Sequence, residues 1–445
     1  MLKRNRANSY KNDLEGESSG PQSGATELPS DLDVYQSDLQ PTYAALFHCI
    51  GPKCEDPCCG DWDIPVDKIT YHKYRSFPAE QLGSLVSHFV SRNPEGSIDN
   101  LYAVIRRKQD GTCPFFGADR LCDIQREYGS DLLAASCSIY PRYLSYVHGR
   151  VEGSLSLSCP EAARAVLLDE HFVLREGNLF SGEFRTDNIF QLIDRADFGA
   201  FFLSIRSLVT ALIRDRSKPL WQRLLIVASL CARLDEIAAE GTMQRLASIL
   251  DTYRVGLGQG SSAELSNLNV DVATRLDVAI ALSDGRCRDP GCGQRFRDAF
   301  WDFVEGIGSP DSAMPAEDID RFVRANRIYY EPFVEQSPFI LENYLLNYVY
   351  QNLFPFGRGG SNRFVTRSMF DESVLLLTQF SWLSSLLIGI AGRYGREFSE
   401  EHVIRTVQSF TRAVEHVPQV FEDVLNAAKH RRLDNLRGLG VLLRT

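Results

Sequence analysis

The chain lacks the apolar stretch that a secretory signal needs. Residues 1–11 are basic, but residues 15–41 are rich in Ser, Gly, Pro and Asp and poor in large apolar side chains. Such a segment cannot bury enough surface to offset its ordering entropy, so 1–40 reads as a disordered leader. An excess of positive charge is missing too. Lys and Arg number 48 against 58 Asp and Glu, a formal charge of −10, which argues against a nucleic-acid partner. The 8 histidines show no ligand spacing, although His48 and His72 flank the cysteines described below. No internal repeat of fixed period is visible. One long uncharged run, 374–392, has the length of a membrane span. It also contains Thr378, Gln379, Ser381, Ser384, Ser385 and Gly389, enough polarity to make it a buried helix rather than a span. With neither signal nor span, the expected compartment is the cytoplasm, where thiols stay reduced.

Two signatures of nucleotide or radical chemistry are incomplete. Val255-Gly256-Leu257-Gly258-Gln259-Gly260 has the glycines of a dinucleotide turn, but it follows a helical pattern instead of a strand and reads as a loop. Cys54-x3-Cys58 begins the three-cysteine spacing of radical enzymes, but Asp61 stands where the third cysteine belongs.

What the chain has is cysteine, placed unevenly. Of 11 cysteines, eight fall between Cys49 and Cys159: Cys49, Cys54, Cys58, Cys59, Cys113, Cys122, Cys137 and Cys159. Gly and Pro interleave the first four, so that loop can curl its sulfurs around an ion without helical constraint. Disulfides are not expected in a large cytoplasmic chain, and the adjacent Cys58-Cys59 is unlike scattered core thiols. Zinc sites commonly show two short Cys-x2–4-Cys knuckles, and here only Cys54-x3-Cys58 resembles one. Eight cysteines exceed one tetrahedral zinc. A [4Fe-4S] cluster, taking four of them from separate loops, is therefore favoured, with zinc as the alternative. Cys231 lies on a helix stripe and reads as core. Cys287-x4-Cys292, in a loop rich in Gly, Asp and Pro, reads as two unlinked thiols rather than a secondary pair.

The coarse plan is a mostly α protein: a small mixed α/β cysteine-rich metal-binding module over 41–165, packed on an all-helical body over 166–445. In the module, Tyr143–Val147, a His148-Gly149 turn and Arg150-Val151 read as a hairpin that carries Cys159 back toward Cys137. In the body, Phe201, Phe202, Ile205, Leu208, Val209, Leu212 and Ile213 form one helical stripe. A second helix resumes at Trp221 after Ser217-Lys218-Pro219. Further helices are expected over 243–253, 318–329, 338–353, 373–392 and 400–429.

The motifs Cys49-x4-Cys54-x3-Cys58-Cys59-x2-Trp62, Cys113-Pro114-Phe115, Leu121-Cys122-x-Ile124-Gln125 and Cys137-x2-Tyr140-Pro141-Arg142 together resemble those of the bacterial flagellin lysine-N-methylases. That family belongs to a wider group of iron- or zinc-chelating proteins with a cysteine-rich N-terminal part. The stretches from Ser154 to Ala163 and from Glu342 to Tyr348 add to the likeness. The resemblance implies a cytoplasmic enzyme that uses S-adenosylmethionine and an iron–sulfur cluster to methylate lysine ε-amines of flagellin, acting as a monomer with no nucleic-acid or membrane partner. Methylation needs a neutral amine, whose ordinary pKa is about 10.4. Tyr71 and Tyr140 are the candidate catalytic hydroxyls, with Tyr143 near them in sequence. Trp62, as an aromatic face for the sulfonium, and Arg142, for the donor's carboxylate, are the candidate cofactor-binding residues. Asp56, Asp61, Asp63 and Asp67 are expected to form an acidic mouth for the lysine. The alternative is a non-enzymatic iron–sulfur or zinc-binding carrier, or a redox-sensing interaction module.

Overall fold

Short elements and ordered loops fill the first part of the computed structural model, which describes residues 38–60, 62–93, 101–147, 150–177, 190–191, 201–260, 267–308, 316–357 and 367–445. In chain order the elements are β1 (Asp38–Pro41), α1 (Thr42–Leu46), β2 (Ile64–Val66), α2 (Lys68–Tyr74), α3 (Ser84–Phe89), β3 (Val90–Arg92), β4 (Ala103–Ile105), α4 (Asp123–Tyr128), α5 (Ala135–Ile139), β5 (Arg142–Val147), β6 (Arg150–Leu155), α6 (Pro160–Leu167), β7 (Leu174–Gly177) and β8 (Phe190–Gln191). They make two sheets. One has the order β7-β1-β6-β5-β8, and the other is a three-stranded antiparallel sheet, β2-β4-β3. The hairpin expected after Arg142 is β5–β6, paired from Arg142↔Leu155 to Val147↔Arg150; its turn, 148–149, lies outside the described residues. The expected leader, 1–40, falls largely outside them as well. Its last residues are ordered, since β1 begins at Asp38 and pairs with both β6 and β7.

The body adds α7 (Phe202–Arg214), α8 (Leu220–Glu240), α9 (Leu246–Val255), α10 (Val272–Arg288), α11 (Gln294–Ile307), α12 (Ala316–Ala325), α13 (Glu331–Gln336), α14 (Phe339–Gln351), α15 (Met369–Tyr394), α16 (Glu400–Val414), α17 (Pro418–His430) and α18 (Leu436–Leu443). The protein is mostly helical. The body is not purely so, because β7 and β8 fall after residue 166. The segment 400–429 is two helices, with Pro418 at the first position of the second, where its missing N–H costs nothing. The helix containing 374–392 is long and apolar enough to cross a membrane, and its most apolar 18-residue stretch is wholly buried inside the protein. Three of its serine hydroxyls are engaged there, whereas Thr378 Oγ1 and both polar atoms of the Gln379 amide are buried without a hydrogen-bond partner among the described residues. Ser381 Oγ donates to Leu442 O at 2.6 Å, while Ser384 and Ser385 hydroxyls accept from the buried Arg275 at 2.8 and 3.0 Å. A helix that is apolar all round is a core helix.

Residues 36–445 form one compact unit. Its main core joins the body to Tyr43, Phe47, Val147, Leu155, Ala162, Val166 and Phe172 from the cysteine-bearing part. A second core lies on the three-stranded sheet: Ile64, Val66, Tyr74, Val86, Val90, Ile105, Phe115 and Ile124, with Cys113 among them. The stretch Glu342–Tyr348 of α14 docks the two parts. Asn343 Nδ2 donates to Val166 O and Asp169 O at 3.0 and 2.7 Å, closing the end of α6. Asn347 Nδ2 donates to Leu155 O at 2.8 Å and its Oδ1 accepts from Tyr43 at 2.6 Å. The buried Glu342 takes Arg216 and Arg223, each at 2.7 Å.

Candidate cysteine centre

Loops and helix ends from separate parts of the chain bring the sulfurs together. The loop 49–59 turns at Gly51, where φ is +58° and a side chain would be strained. It is tied to the next cysteine segment by Cys113 N–H donating to Cys59 O at 2.8 Å and by an isolated bridge between Gly60 and Thr112. Phe116 and Cys122 bridge one another, and Asp123 N–H donates to Phe115 O at 2.8 Å, which sets Cys122 at the start of α4. Cys137 sits on α5. That helix is held by Asp67, whose carboxylate accepts from Ala135 N at 3.2 Å and from Thr70 N at 2.8 Å, and by Ser136 Oγ donating to Pro65 O at 2.9 Å. Cys159 is the N-cap position of α6, after β6.

Cys58, Cys113, Cys122 and Cys137 are a mutual set: every pair among the four is close enough to interact electrostatically. Cys59 joins through Cys58, Cys113 and Cys137. On the other side, Cys54 and Cys159 interact with each other and with Cys58. Cys58 is thus shared by both groups. Cys49 stands exposed at the start of the loop, its sulfur accepting from Gly51 N at 3.4 Å. All eleven cysteines are free thiols. Among the described residues, no three His, Cys, Asp or Glu side chains are already arranged as a metal-ligand set.

Burial works against charge at most of these sulfurs. It pushes the Cys113 thiol up to about 11 and Cys159 to about 12, and it raises Cys54, Cys122 and Cys137. Cys58 runs the other way. A hydrogen bond from the Cys59 thiol, helped by the Arg412 guanidinium and opposed by desolvation, brings Cys58 down to about 7. Cys59, as the partner that keeps its proton, is raised.

Arg412 comes from α16, far along the chain. Its Nη1 pairs with Asp56 Oδ1 at 2.8 Å, both side chains being mostly buried, and it also donates to the carbonyls of Pro57 and Gly60. Gln408, one turn earlier, donates to Asp56 Oδ2 at 2.7 Å and to Ser158 O at 2.8 Å. The body therefore clamps the first cysteine loop. Nothing in the sequence near the cysteines signals these two residues; their i, i+4 spacing on one helix face is visible only once α16 is known to lie against the loop.

The candidate residues fall as follows. Trp62 and Tyr71 pack on the second core, as do Cys59, Cys122 and Cys137. Trp62 Nε1 donates to Cys58 O at 2.7 Å, and the Tyr71 ring meets Tyr102 edge-on with centroids 5.3 Å apart. Tyr140 Oη lies 2.9 Å from Ser158 Oγ, which is 2.8 Å from Nε2 of the exposed His416; Ser156 Oγ bonds both, at 2.7 and 3.2 Å. Burial raises the Tyr140 pKa, so the hydroxyl stays neutral. Arg142 covers the Phe47 ring at 5.1 Å and donates to Phe47 O at 3.5 Å. Tyr143 lies on β5, paired with Ser154. Three of the four carboxylates expected to form an acidic mouth have protein partners. Asp56 is engaged by Arg412 and Gln408, Asp63 by Arg106 and Arg107 at 2.7 and 3.2 Å, and Asp67 by backbone N–H groups; Asp61 lies outside the described residues. The glycine segment after α9 is a loop, as read, and is anchored to the body. Lys218 Nζ donates to Gly256 O at 2.9 Å and Gly258 N–H to Asp215 at 3.1 Å.

Residues 206–442 match the FliB lysine N-methylase C-terminal domain. Among individual proteins, the chain is similar to the Lysine-N-methylases of Salmonella typhimurium and Salmonella choleraesuis. Each is 25% identical over 250 residues, 55% of this chain and 60% of theirs. It is also similar to the Flagellar biosynthetic protein FliU of Salmonella muenchen, 31% identical over 147 residues, 32% of this chain and 84% of that protein. No solved structure matches the chain. The chain belongs to the FliB lysine N-methylase family. It spans about 60% of the length of the two Lysine-N-methylases.

Proposed function

We propose that this protein transfers methyl groups from S-adenosylmethionine to lysine ε-amines of flagellin, with a [4Fe-4S] cluster at the cysteine centre. The observation that carries the reading is the mutual set Cys58, Cys113, Cys122 and Cys137 in a chain of this family. The donor chemistry fits: four thiols from separate parts of the chain suit an iron–sulfur cluster, and Arg412 offsets the charge of thiolate ligands. Those four cysteines would hold the group, with Cys54, Cys59 and Cys159 around it. When bound, it would supply an electron-rich centre able to tune methyl transfer electrostatically.

The chain's own residues have three tasks in this reading. Trp62 and Tyr71 present aromatic faces in the core that also contains Cys113, suited to a cationic donor and a cationic side chain. Arg142, already committed to Phe47, supports the entry to the cysteine loop rather than reaching for the donor's carboxylate. The third task is the proton. The lysine ammonium must lose it before the nitrogen has a lone pair to offer. The neutral Tyr140 hydroxyl begins a hydrogen-bonded path through Ser158 Oγ to His416 Nε2 at the surface, along which that proton leaves. Unbridged thiols are compatible with the reducing compartment, the cytoplasm, that this reading expects.

The test is methyl transfer itself. The full chain, purified without oxygen and assayed for iron and sulfide, is mixed with flagellin and methyl-labelled S-adenosylmethionine. Label on flagellin lysines supports the enzyme. A loaded cluster without transfer points instead to a carrier or sensing module, and a colourless zinc protein overturns the metal assignment.

A further inference from the structure

Outside the cysteine centre, two other thiols meet on the body. Cys287 lies in the last turn of α10 and Cys292 just before α11. The loop between them folds tightly: Asp289 N–H donates to Arg286 O at 3.2 Å, Gly291 N–H to Asp289 Oδ1 at 2.7 Å, and Cys292 N–H to Asp289 O at 3.0 Å. This turn carries Cys292 back onto the helix end, where the two sulfurs are near enough to interact; the Cys292 thiol also donates to Gly293 O at 3.8 Å. Two arginines lock the arrangement from either side. Arg297 of α11 donates to the carbonyls of Cys287 and Asp289, and Arg286 of α10 donates to Gly291 O at 3.3 Å. The two thiols are unlinked, as expected, and lie close together.

We propose that Cys287 and Cys292 are a redox-modified site that closes to a reversible intramolecular disulfide with small-molecule disulfides of the glutathione class. Holding the sulfurs together before reaction supplies the effective concentration that an intramolecular step needs. Exposure divides the roles. Cys292 is 5% exposed and packs in the main core, whereas Cys287 is half-buried and meets solvent. The neighbouring Cys292 and burial raise the Cys287 pKa, so Cys287 holds its proton until it reacts, whereas Cys287 lowers that of the buried Cys292 with help from Arg286 and Arg297. Cys287, the sulfur that meets solvent, gives up its proton and attacks one sulfur of oxidised glutathione, and one glutathione thiolate leaves and takes up a proton. The second protein thiol gives up its proton and attacks the protein-bound sulfur of the mixed disulfide, expelling the second glutathione. Two protein thiols lose two electrons and two protons, and one small disulfide becomes two thiols.

The site is placed to be felt elsewhere. Arg286 Nε donates to Ala413 O at 2.6 Å, and Ala413 follows Arg412, which holds the first cysteine loop.

The experiment uses the full-length protein equilibrated in buffers of reduced and oxidised glutathione. Free thiols are blocked with iodoacetamide, the protein is digested, and its peptides are weighed before and after reduction. The expected result is a linked peptide pair carrying Cys287 and Cys292 in the oxidising buffer, lost on reduction, while the buried Cys231 carries the alkyl group after unfolding in every sample. In Cys287→Ser, Cys292 is expected to show no protein partner. Alkyl groups on both Cys287 and Cys292 after oxidation would overturn the proposal. So would a separate glutathione on each, or linkage of either to another cysteine. These peptides report the disulfide whether or not methyl transfer is observed.

Discussion

Arg412 and Asp56 face each other at 2.8 Å, from a helix of the C-terminal body to the middle of the first cysteine loop. Because the same guanidinium also serves the Pro57 and Gly60 carbonyls, its loss frees the loop at three points and leaves Asp56 largely buried with only Gln408. Arg412→Ala should therefore lower stability by about 2 kcal/mol and reduce bound iron several-fold in protein purified without oxygen. Urea denaturation and iron analysis check this; unchanged iron content would show that the clamp is not needed by the centre.

The mutual set makes a ranking among cysteines. Serine at Cys58, Cys113, Cys122 or Cys137 should each abolish the iron–sulfide absorbance. Serine at Cys49, which is exposed at the loop's start, or at Cys231, which is buried in the main core, should leave it. Absorbance spectra of the six variants, normalised to protein, decide the matter. Loss at Cys49 together with retention at Cys113 would reject the assignment.

Two core helices of the body touch backbone to backbone. A Cβ built on Gly306 of α11 would stand 1.8 Å from Gly389 O of α15, so this crossing tolerates no side chain. Gly306→Ala must push the helices apart or strain them, at a cost of about 2 kcal/mol or more. Gly285→Ala meets nothing within 4 Å on α10 and should be neutral or slightly stabilising. Thermal denaturation of the two variants compares them directly.

Much of the body was readable from apolar spacing. The stripe from Phe202 to Ile213 is α7, and the uncharged run around Leu386 is the buried core helix. The hairpin after Arg142 was visible from alternation. Other elements were hidden for physical reasons. In α10 the buried side chains include Arg275 and Arg286, which blur the apolar stripe that marks a helix. Val403 to Leu425 keeps one continuous helical rhythm although the chain turns before Pro418. The centre was half legible. Crowded cysteines with Gly and Pro announce a sulfur site, but which four meet depends on pairings across 79 residues of chain, from Cys58 to Cys137. Gln408 and Arg412 lie some 350 residues from Asp56 and carry no local signal. Sequence proximity to the cysteines does not reveal Arg106, Arg107 or the N–H groups that pair with Asp63 and Asp67.

Acid should weaken one tie in the body in a specific way. Burial raises the Asp215 carboxyl pKa, but hydrogen bonds from Lys218, Ser217 and Gly258 N outweigh it and hold it down at about 2. A folded pKa below the ordinary 3.8 means that the ionised group stabilises the fold above about pH 4, and that this contribution is lost as pH falls through about 2. Asp215→Asn should cost about 2 kcal/mol at pH 7, with the gap from the parent protein shrinking between pH 4 and pH 3. Urea titrations at pH 7, 5, 4 and 3 read the gap; a constant difference would show that charge on Asp215 is not its source.

The central claim is that the cysteine centre supports lysine methylation. Its most direct test is the rate of label transfer from methyl-labelled S-adenosylmethionine to flagellin, measured for one preparation before and after the cluster is removed and again after it is rebuilt. The account predicts at least a tenfold loss on removal and recovery on rebuilding. Full transfer by the cluster-free protein would contradict it.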